Sequence, residues 1–261
     1  PTRRSHPPLQ SSPRLMNLRP PPWLAAVLLL SAAAPAASVY DSNGNLWLNY
    51  VGDHPLGDTK WGIHLESQFR LSDMGSDWQQ LLIRPGINYS LNPHITLTAG
   101  YAHITTYPYG DFPSPDDFPE NRWWEQLAVN HKAFGLDWTH RVRLEQRNIG
   151  TLAPDSSGNY HQNGWRYENR IRYMLRTTIP ISPDKKWYVP VWNEIFINFG
   201  DNVYRNHFDQ NRAFVGIGRK LSDSTRLEVG FMEQTLQRRG GIIHENNHTV
   251  AVWLLSKWPL K

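Results

Sequence analysis

Arginine and carboxylate side chains alternate with apolar ones over the stretch from Leu136 to Ile149. One parity carries Asp137, Arg141, Arg143, Glu145 and Arg147, and the other carries Trp138, Val142 and Leu144. Because successive side chains of a strand point to opposite faces, a strand here would have one ionic face and one apolar face. A row of guanidinium groups can attract anions, or it can pair with carboxylates in a hydrogen-bonded ladder. The chemistry predicted for this segment is therefore electrostatic, and both outcomes stay open.

The same alternation in other segments defines a larger ionic set. By parity, its members are Glu66, Arg70, Arg84, Arg141, Arg143, Glu145, Arg147, Arg166, Glu168, Arg170, Arg172, Arg176, Arg212, Arg226 and Glu228. A soluble sandwich or lipocalin-like core would not hold such a set, since burying charges without excellent pairing costs several kcal/mol for each ion. A membrane barrel places apolar side chains toward lipid and charges in its lumen. The sequence therefore predicts an ionic lumen, with outer-membrane lipid as the partner of the apolar face.

One motif suggests a metal site. His244-Glu-Asn-Asn-His248 matches the H-E-x-x-H pattern of zinc metalloproteases, which needs both histidines on one face of a helix. Here Gly240-Gly241 precede the motif and a strand-like run from Thr249 to Leu255 follows it. Residues four apart in a strand lie about 13 Å apart and could not share one zinc ion. We interpret the motif as a loop that leads into the last strand, and we predict no metal ligands.

Catalytic and cofactor signatures are weak. An outer-membrane lipase or deacylase would need a serine and a histidine with an acid or amide partner. His64, His103, His140 and His161 are present, but no nucleophile motif surrounds them. Gly216-Ile-Gly218 lacks the third glycine of a dinucleotide fingerprint, and the chain has no cysteine for a thiol nucleophile or disulfide. We predict no cofactor and no catalytic residue, and we keep the lipid-modifying barrel enzyme as the alternative.

The first 38 residues resemble a leader followed by an export signal. Met16 lies between Arg14 and Arg19, and the apolar run from Trp23 to Leu30 is too short to span a bilayer as a helix. Small residues follow, with Ala34-Pro35-Ala36 as the expected cleavage pattern. We predict that residues 1–38 are removed and that the mature protein begins near Val39.

The charge balance changes once the leader is set aside. The chain has 27 Lys and Arg against 23 Asp and Glu, and the leader contains no acidic residue. Four arginines fall in the leader: Arg3, Arg4, Arg14 and Arg19. The remainder therefore has 23 basic and 23 acidic residues, which argues against a nucleic-acid partner.

Alternating strands continue to the end of the chain, with 12 Trp and 11 Tyr as expected of membrane interfaces. Short turns alternate with the longer connections 106–121, 150–163, 200–207 and 237–246. We predict an all-β, transmembrane, antiparallel up-and-down barrel of about ten strands (ten to twelve) over residues 59–261. Because bacterial barrels have even strand numbers, residues 39–58 are predicted to be an N-terminal accessory segment. The parity of the strands at 122–131 and 187–198 stays open, because Glu125 and Glu194 fit it poorly.

Three motifs resemble those of the family called domain of unknown function 2490. They are Arg143-Leu-Glu-Gln-Arg147, Arg166-Tyr-Glu-Asn-Arg-Ile-Arg-Tyr173 and Phe208-Asp-Gln-Asn-Arg212, within a resemblance from about Leu46 to Leu255. The family is regarded as a bacterial outer-membrane-barrel-like group, so the resemblance implies an outer-membrane location. It brings no catalytic residues. The function expected is thus either a structural barrel with a plugged ionic lumen or an anion-favouring pore for small anionic solutes, and the oligomeric state is unassigned.

Overall fold

The computed structural model describes residues 39–260, which form eleven strands and one short 3-10 helix, Asp73–Gly75. The strands are β1 (Val39–Pro55), β2 (Trp61–Ser72), β3 (Asp77–Asn92), β4 (Ile95–Thr106), β5 (Phe118–Ala133), β6 (Leu136–Pro154), β7 (Tyr160–Pro180), β8 (Trp187–Phe199), β9 (Phe208–Lys220), β10 (Thr225–Gln237) and β11 (Ile243–Ser256). Consecutive strands pair antiparallel, and β11 pairs with β1 in parallel to close the barrel. Within the described range, no helix has the length and apolar character needed to cross a membrane.

The all-β barrel of about ten strands is confirmed, since its eleven strands lie within the predicted ten to twelve, and the one difference is the pairing that closes it. The segment predicted to be accessory, 39–58, is mostly β1, which is hydrogen-bonded to β2 on one edge and to β11 on the other. Because the number of strands is odd, the closing pair is parallel, whereas the sequence predicts an even number and antiparallel pairing throughout. The predicted leader and signal, 1–38, lies outside the described residues.

The two ends of the barrel differ in their connections. At one end, called the loop end, the longest connections are 107–117 and 200–207. At the other, the turn end, residues 93–94 and 134–135 form two-residue turns. The side chain of Asn92 accepts hydrogen bonds from the next backbone N–H groups in the first turn, and Phe134 and Gly135 adopt positive φ in the second. The loop predicted at 150–163 is mostly strand, and half of the one predicted at 237–246 is strand.

The outer face of the barrel is apolar over much of its height. Outward side chains that stay exposed are Leu48, Ile63, Ile87, Val142, Ile171, Val215, Val229 and Val250. Exposed tryptophans flank this band, with Trp61, Trp187 and Trp258 near the turn end and Trp78 and Trp165 near the loop end. Two carboxylates lie on this face with polar neighbours: Glu125 accepts a hydrogen bond from Gln146 at 3.0 Å, and Glu233 is 2.7 Å from His248.

The interior contains an apolar cluster beside the ionic side chains. The cluster is formed by Trp47, Met174, Trp192, Phe214, Met232 and Ala251, all buried.

Pairs of glycines in neighbouring strands leave room for large rings. Gly216 lies opposite Gly230, and a Cβ at Gly216 would lie 2.9 Å from the Phe214 ring. Gly86 lies opposite Gly100 and gives the same room to the ring of Trp124.

Candidate functional site

Glu145 is the centre of the ionic interior. It lies on β6, is 0% exposed, and has its carboxylate oxygens 2.5 Å from Arg170 and 2.7 Å from Arg172, both on β7. Arg84 from β3 and Arg122 from β5 approach the same carboxylate at 3.6 and 3.9 Å. One carboxylate therefore joins cations from three other strands.

Glu66 on β2 forms a second centre. Its Oε2 atom is 2.7 Å from Arg84, 3.7 Å from His64 and 3.8 Å from Arg143, and Gln68 donates a hydrogen bond to its Oε1 atom. Arg84 bonds to Glu66 and approaches Glu145, so it connects the two centres. The two carboxylates and their shared arginine make one network across β2, β3 and β6.

Further ion pairs extend the network toward both ends. They are Glu120 with Arg122 (2.5 Å) and Arg147 (2.6 Å), Glu168 with Arg166 (2.6 Å), Glu194 with Arg141 and Arg172 (2.8 Å each), Asp209 with Arg170 (2.6 Å), and Glu228 with Arg176. Buried carboxylates paired with arginine in this way satisfy hydrogen bonds as well as charge.

Several of the arginines lie over aromatic rings. The guanidinium carbon of Arg70 is 4.0 Å from the ring centroid of Trp47, and that of Arg212 is 4.9 Å from the same ring. Arg172 lies 4.2 Å from the ring of Phe196. Stacking on an aromatic ring stabilises a buried guanidinium group in addition to its hydrogen bonds.

The predicted ionic set is mostly brought together inside the barrel. Buried members are Glu66, Arg70, Arg84, Arg143, Glu145, Arg147, Glu168, Arg170, Arg172, Arg212 and Glu228, and half-buried members are Arg141, Arg166 and Arg176. Arg226 is different: it is exposed, since it is the second residue of β10 and lies at the rim of the turn end. Asp137 is likewise exposed and pairs with Lys132 at 2.6 Å.

Sequence reasoning missed Glu120, Arg122, Glu194, Asp209 and Glu245, all buried inside the barrel. Glu120 and Arg122 precede the adjacent pair Trp123-Trp124, of which only Trp124 points inward, and two consecutive large rings obscure the alternation. In the two strands whose parity the sequence leaves open, Glu194 points inward and Glu125 points outward.

The connection 107–117 reaches across part of the loop end. The hydroxyl of Tyr109 donates to Glu245 on β11 at 2.7 Å, and the backbone N–H of Asp111 donates to Asp41 on β1 at 3.2 Å. Burial, together with the charge of Glu245, raises the pKa of Tyr109. A cavity of about 470 Å³ lies between this connection, β1 and the β2–β3 turn, and Trp78 is among its lining residues.

The H-E-x-x-H residues lie in β11, with His244 stacked on Tyr40 and His248 paired with Glu233. Among residues 39–260, no group of three metal-ligating side chains is arranged to hold a metal ion. His103 is hydrogen-bonded to Asn121, and His140 to Tyr173. These contacts bring no serine to a histidine, so they add no support for a hydrolase.

Comparisons with known proteins identify a family of unknown function. Residues 44–246 match the family model described as protein of unknown function (DUF2490). An uncharacterized protein of Methylorubrum extorquens is 25% identical over 240 residues, covering 90% of this chain and 96% of the relative. Among solved structures, the NanC porin in a rhombohedral crystal form aligns with a TM-score of 0.43 and 13% identity, covering 77% of this chain and 93% of the porin.

Proposed function

The chain belongs to the family of proteins of unknown function DUF2490, and we propose that it is a bacterial outer-membrane barrel with a structural role, closed inside by its arginine-carboxylate network. One observation carries the closed state. Glu145, Arg143 and Arg84 are 0%, 1% and 2% exposed, although they point into the lumen. A water-filled passage at their level would leave these side chains in contact with solvent.

The outer face supports the membrane location. Its apolar side chains are exposed between tryptophans at both ends, which is the arrangement expected where strands cross two lipid-water interfaces. The strands range from 12 to 21 residues, and about 9–11 residues are enough to cross a bilayer. Apolar area of this extent on a soluble monomer would favour aggregation.

Arg70 and Arg212 favour the second candidate, an anion-favouring pore. Both are buried, and the hydrogen bonds they donate go to the amide oxygens of Gln68, Gln80 and Gln210. Two such cations would attract a small anionic solute. Passage would require the contacts around Glu145 to open.

Membrane location is tested by cell fractionation and by gel migration in detergent. We expect the protein to sediment with outer membranes and to migrate differently before and after heating, since a folded barrel resists unfolding in detergent. Recovery in the soluble fraction without detergent would contradict the proposal.

The closed state is tested by conductance in planar lipid bilayers. We expect the wild-type protein to insert without discrete current steps, and Arg172→Glu to remain silent. Anion-selective steps from the wild type, with selectivity altered in R172E, would support the pore instead. Co-migration of the protein with the bilayer-forming vesicles confirms that silence does not come from failed insertion.

A further inference from the structure

Arg143 is a buried cation whose close partners are neutral. Its Nε and Nη2 atoms donate to Oε1 of Gln126 at 3.0 and 2.7 Å. The carboxylate of Glu66 lies farther away, with its Oε2 atom 3.8 Å from Nη2. The Nη1 atom has no hydrogen-bond acceptor among the described residues. A guanidinium that is removed from water in this way carries a charge that a neutral amide does not balance.

The surroundings of Arg143 add more donors than acceptors. Arg172 lies directly opposite it in the β6–β7 pair, so two like charges are neighbours. Arg84 donates to Glu66 through Nη1, but its Nε atom has no acceptor within the described part of the chain. The indole N–H of Trp124 also has none there, and its ring lies 4.7 Å from the guanidinium carbon of Arg143 and 5.8 Å from that of Arg84.

We propose that Arg143 and Arg84 hold a small monovalent anion of halide size inside the barrel, beside Trp124. A halide accepts hydrogen bonds from guanidinium groups and would balance the positive charge of Arg143 that its distant contact with Glu66 leaves uncompensated. Burial of both arginines disfavours a larger anion. The anion is a resident structural ion, so the proposal stands whether or not the barrel conducts, and it does not rest on the membrane location.

The first test compares unfolding temperatures of the full chain in detergent, in sodium chloride and in sodium gluconate at equal ionic strength. Gluconate is too large for the site. We expect chloride to raise the midpoint by about 5–10 °C at about 100 times its Kd. Arg143→Met should lose this difference, because the variant has no unbalanced charge at the site.

Arg176→Met is the matched control. Arg176 is also an inward arginine of the barrel, but it is bonded to Glu228 and is half-buried. R176M should keep the chloride response of the wild type. Equal midpoints in chloride and gluconate for the wild type, or the same chloride response in R143M, would overturn the proposal.

A second measurement does not depend on the folding of any variant. Crystals of the wild-type protein grown in bromide should show an anomalous peak within hydrogen-bond distance of Arg143 Nη1. A refined water at that position without anomalous signal would overturn the proposal, because a neutral acceptor would then satisfy the donor.

Discussion

The ionic network around Glu145 and the apolar cluster around Trp47 fill the same barrel by different physical means. In the network, partners are selected by charge and by the directions of guanidinium N–H groups, and a single carboxylate joins cations from several strands. In the apolar cluster, neighbours are selected by shape, and glycines at Gly216 and Gly230 make room for a ring. The ionic network should therefore tolerate loss of charge poorly, and the apolar cluster should tolerate loss of volume poorly.

The two regions also respond differently to replacement as a whole. A buried ion pair gains little over well-packed apolar side chains of the same volume, but removing one partner leaves the other charge unpaired. An apolar cluster has no such asymmetry, because each side chain contributes roughly according to the area it buries. The network thus favours one specific arrangement of strands, whereas the cluster contributes mainly stability.

The largest effect is expected from Glu145→Gln. The substitution keeps the shape but leaves Arg170 and Arg172 without the charge of their shared partner, and it should lower the free energy of unfolding by about 3–5 kcal/mol. Glu125→Gln is the matched control, since this carboxylate lies exposed on the outer face of the neighbouring strand. Urea unfolding followed by tryptophan fluorescence compares them. Equal losses in the free energy of unfolding of E145Q and E125Q would contradict the expected sensitivity of the ionic network to lost charge.

Met232→Ala tests volume in the apolar cluster. Met232 is fully buried there, so truncation should lower the free energy of unfolding by about 2–5 kcal/mol. Met232→Leu keeps most of the volume and should cost less than about 1.5 kcal/mol. The same unfolding assay applies. A large loss in M232L as well would indicate that volume alone does not determine the packing of this region.

Gly216→Ala tests the space left for the Phe214 ring. An added Cβ would lie 2.5 Å from the carbonyl oxygen of Val229 and 2.9 Å from the ring, so strands or ring must shift. We expect a loss of about 1–3 kcal/mol in the free energy of unfolding. Gly240→Ala serves as control, because a Cβ there has no neighbour within 4 Å. If both variants have the same free energy of unfolding, the paired glycines do not determine the packing around Phe214.

The smallest effect is expected from Tyr109→Phe, which removes one hydrogen bond to Glu245 at the loop end. At neutral pH the loss should be about 1 kcal/mol. Because the pKa of Tyr109 is raised in the folded protein, its contribution is complete below the usual tyrosine pKa of about 10 and is lost as the pH rises above it. Unfolding midpoints from about pH 8 to 11 should therefore fall more in the wild type than in Y109F. If the unfolding midpoints of the wild type and Y109F fell equally with rising pH, the proposed role of the Tyr109 hydroxyl would be contradicted.

Period-two alternation predicted which residues point inward on most strands, and hence the barrel and the ionic interior. It could not predict that Arg84 bridges Glu66 and Glu145, because parity specifies a face and not a partner across the lumen. The barrel role of β1 was missed for a related reason. Most of its buried inward side chains are neutral, such as Asn45, Trp47 and Asn49, with Asp41 a buried charge near the loop end, and the expectation of an even strand number left β1 out of the barrel.

The parallel pairing of β1 with β11 has a kinetic consequence. Every other pair of neighbouring strands is joined by a connection no longer than residues 107–117, whereas Asn45 and Asn247, which form a 3.1 Å side-chain hydrogen bond, are 202 positions apart. Loop-closure entropy rises with the length of chain that is closed, and contacts distant in sequence form slowly. Ring closure at this junction should therefore be a late step in assembly, and substitutions there should mainly speed unfolding rather than slow folding.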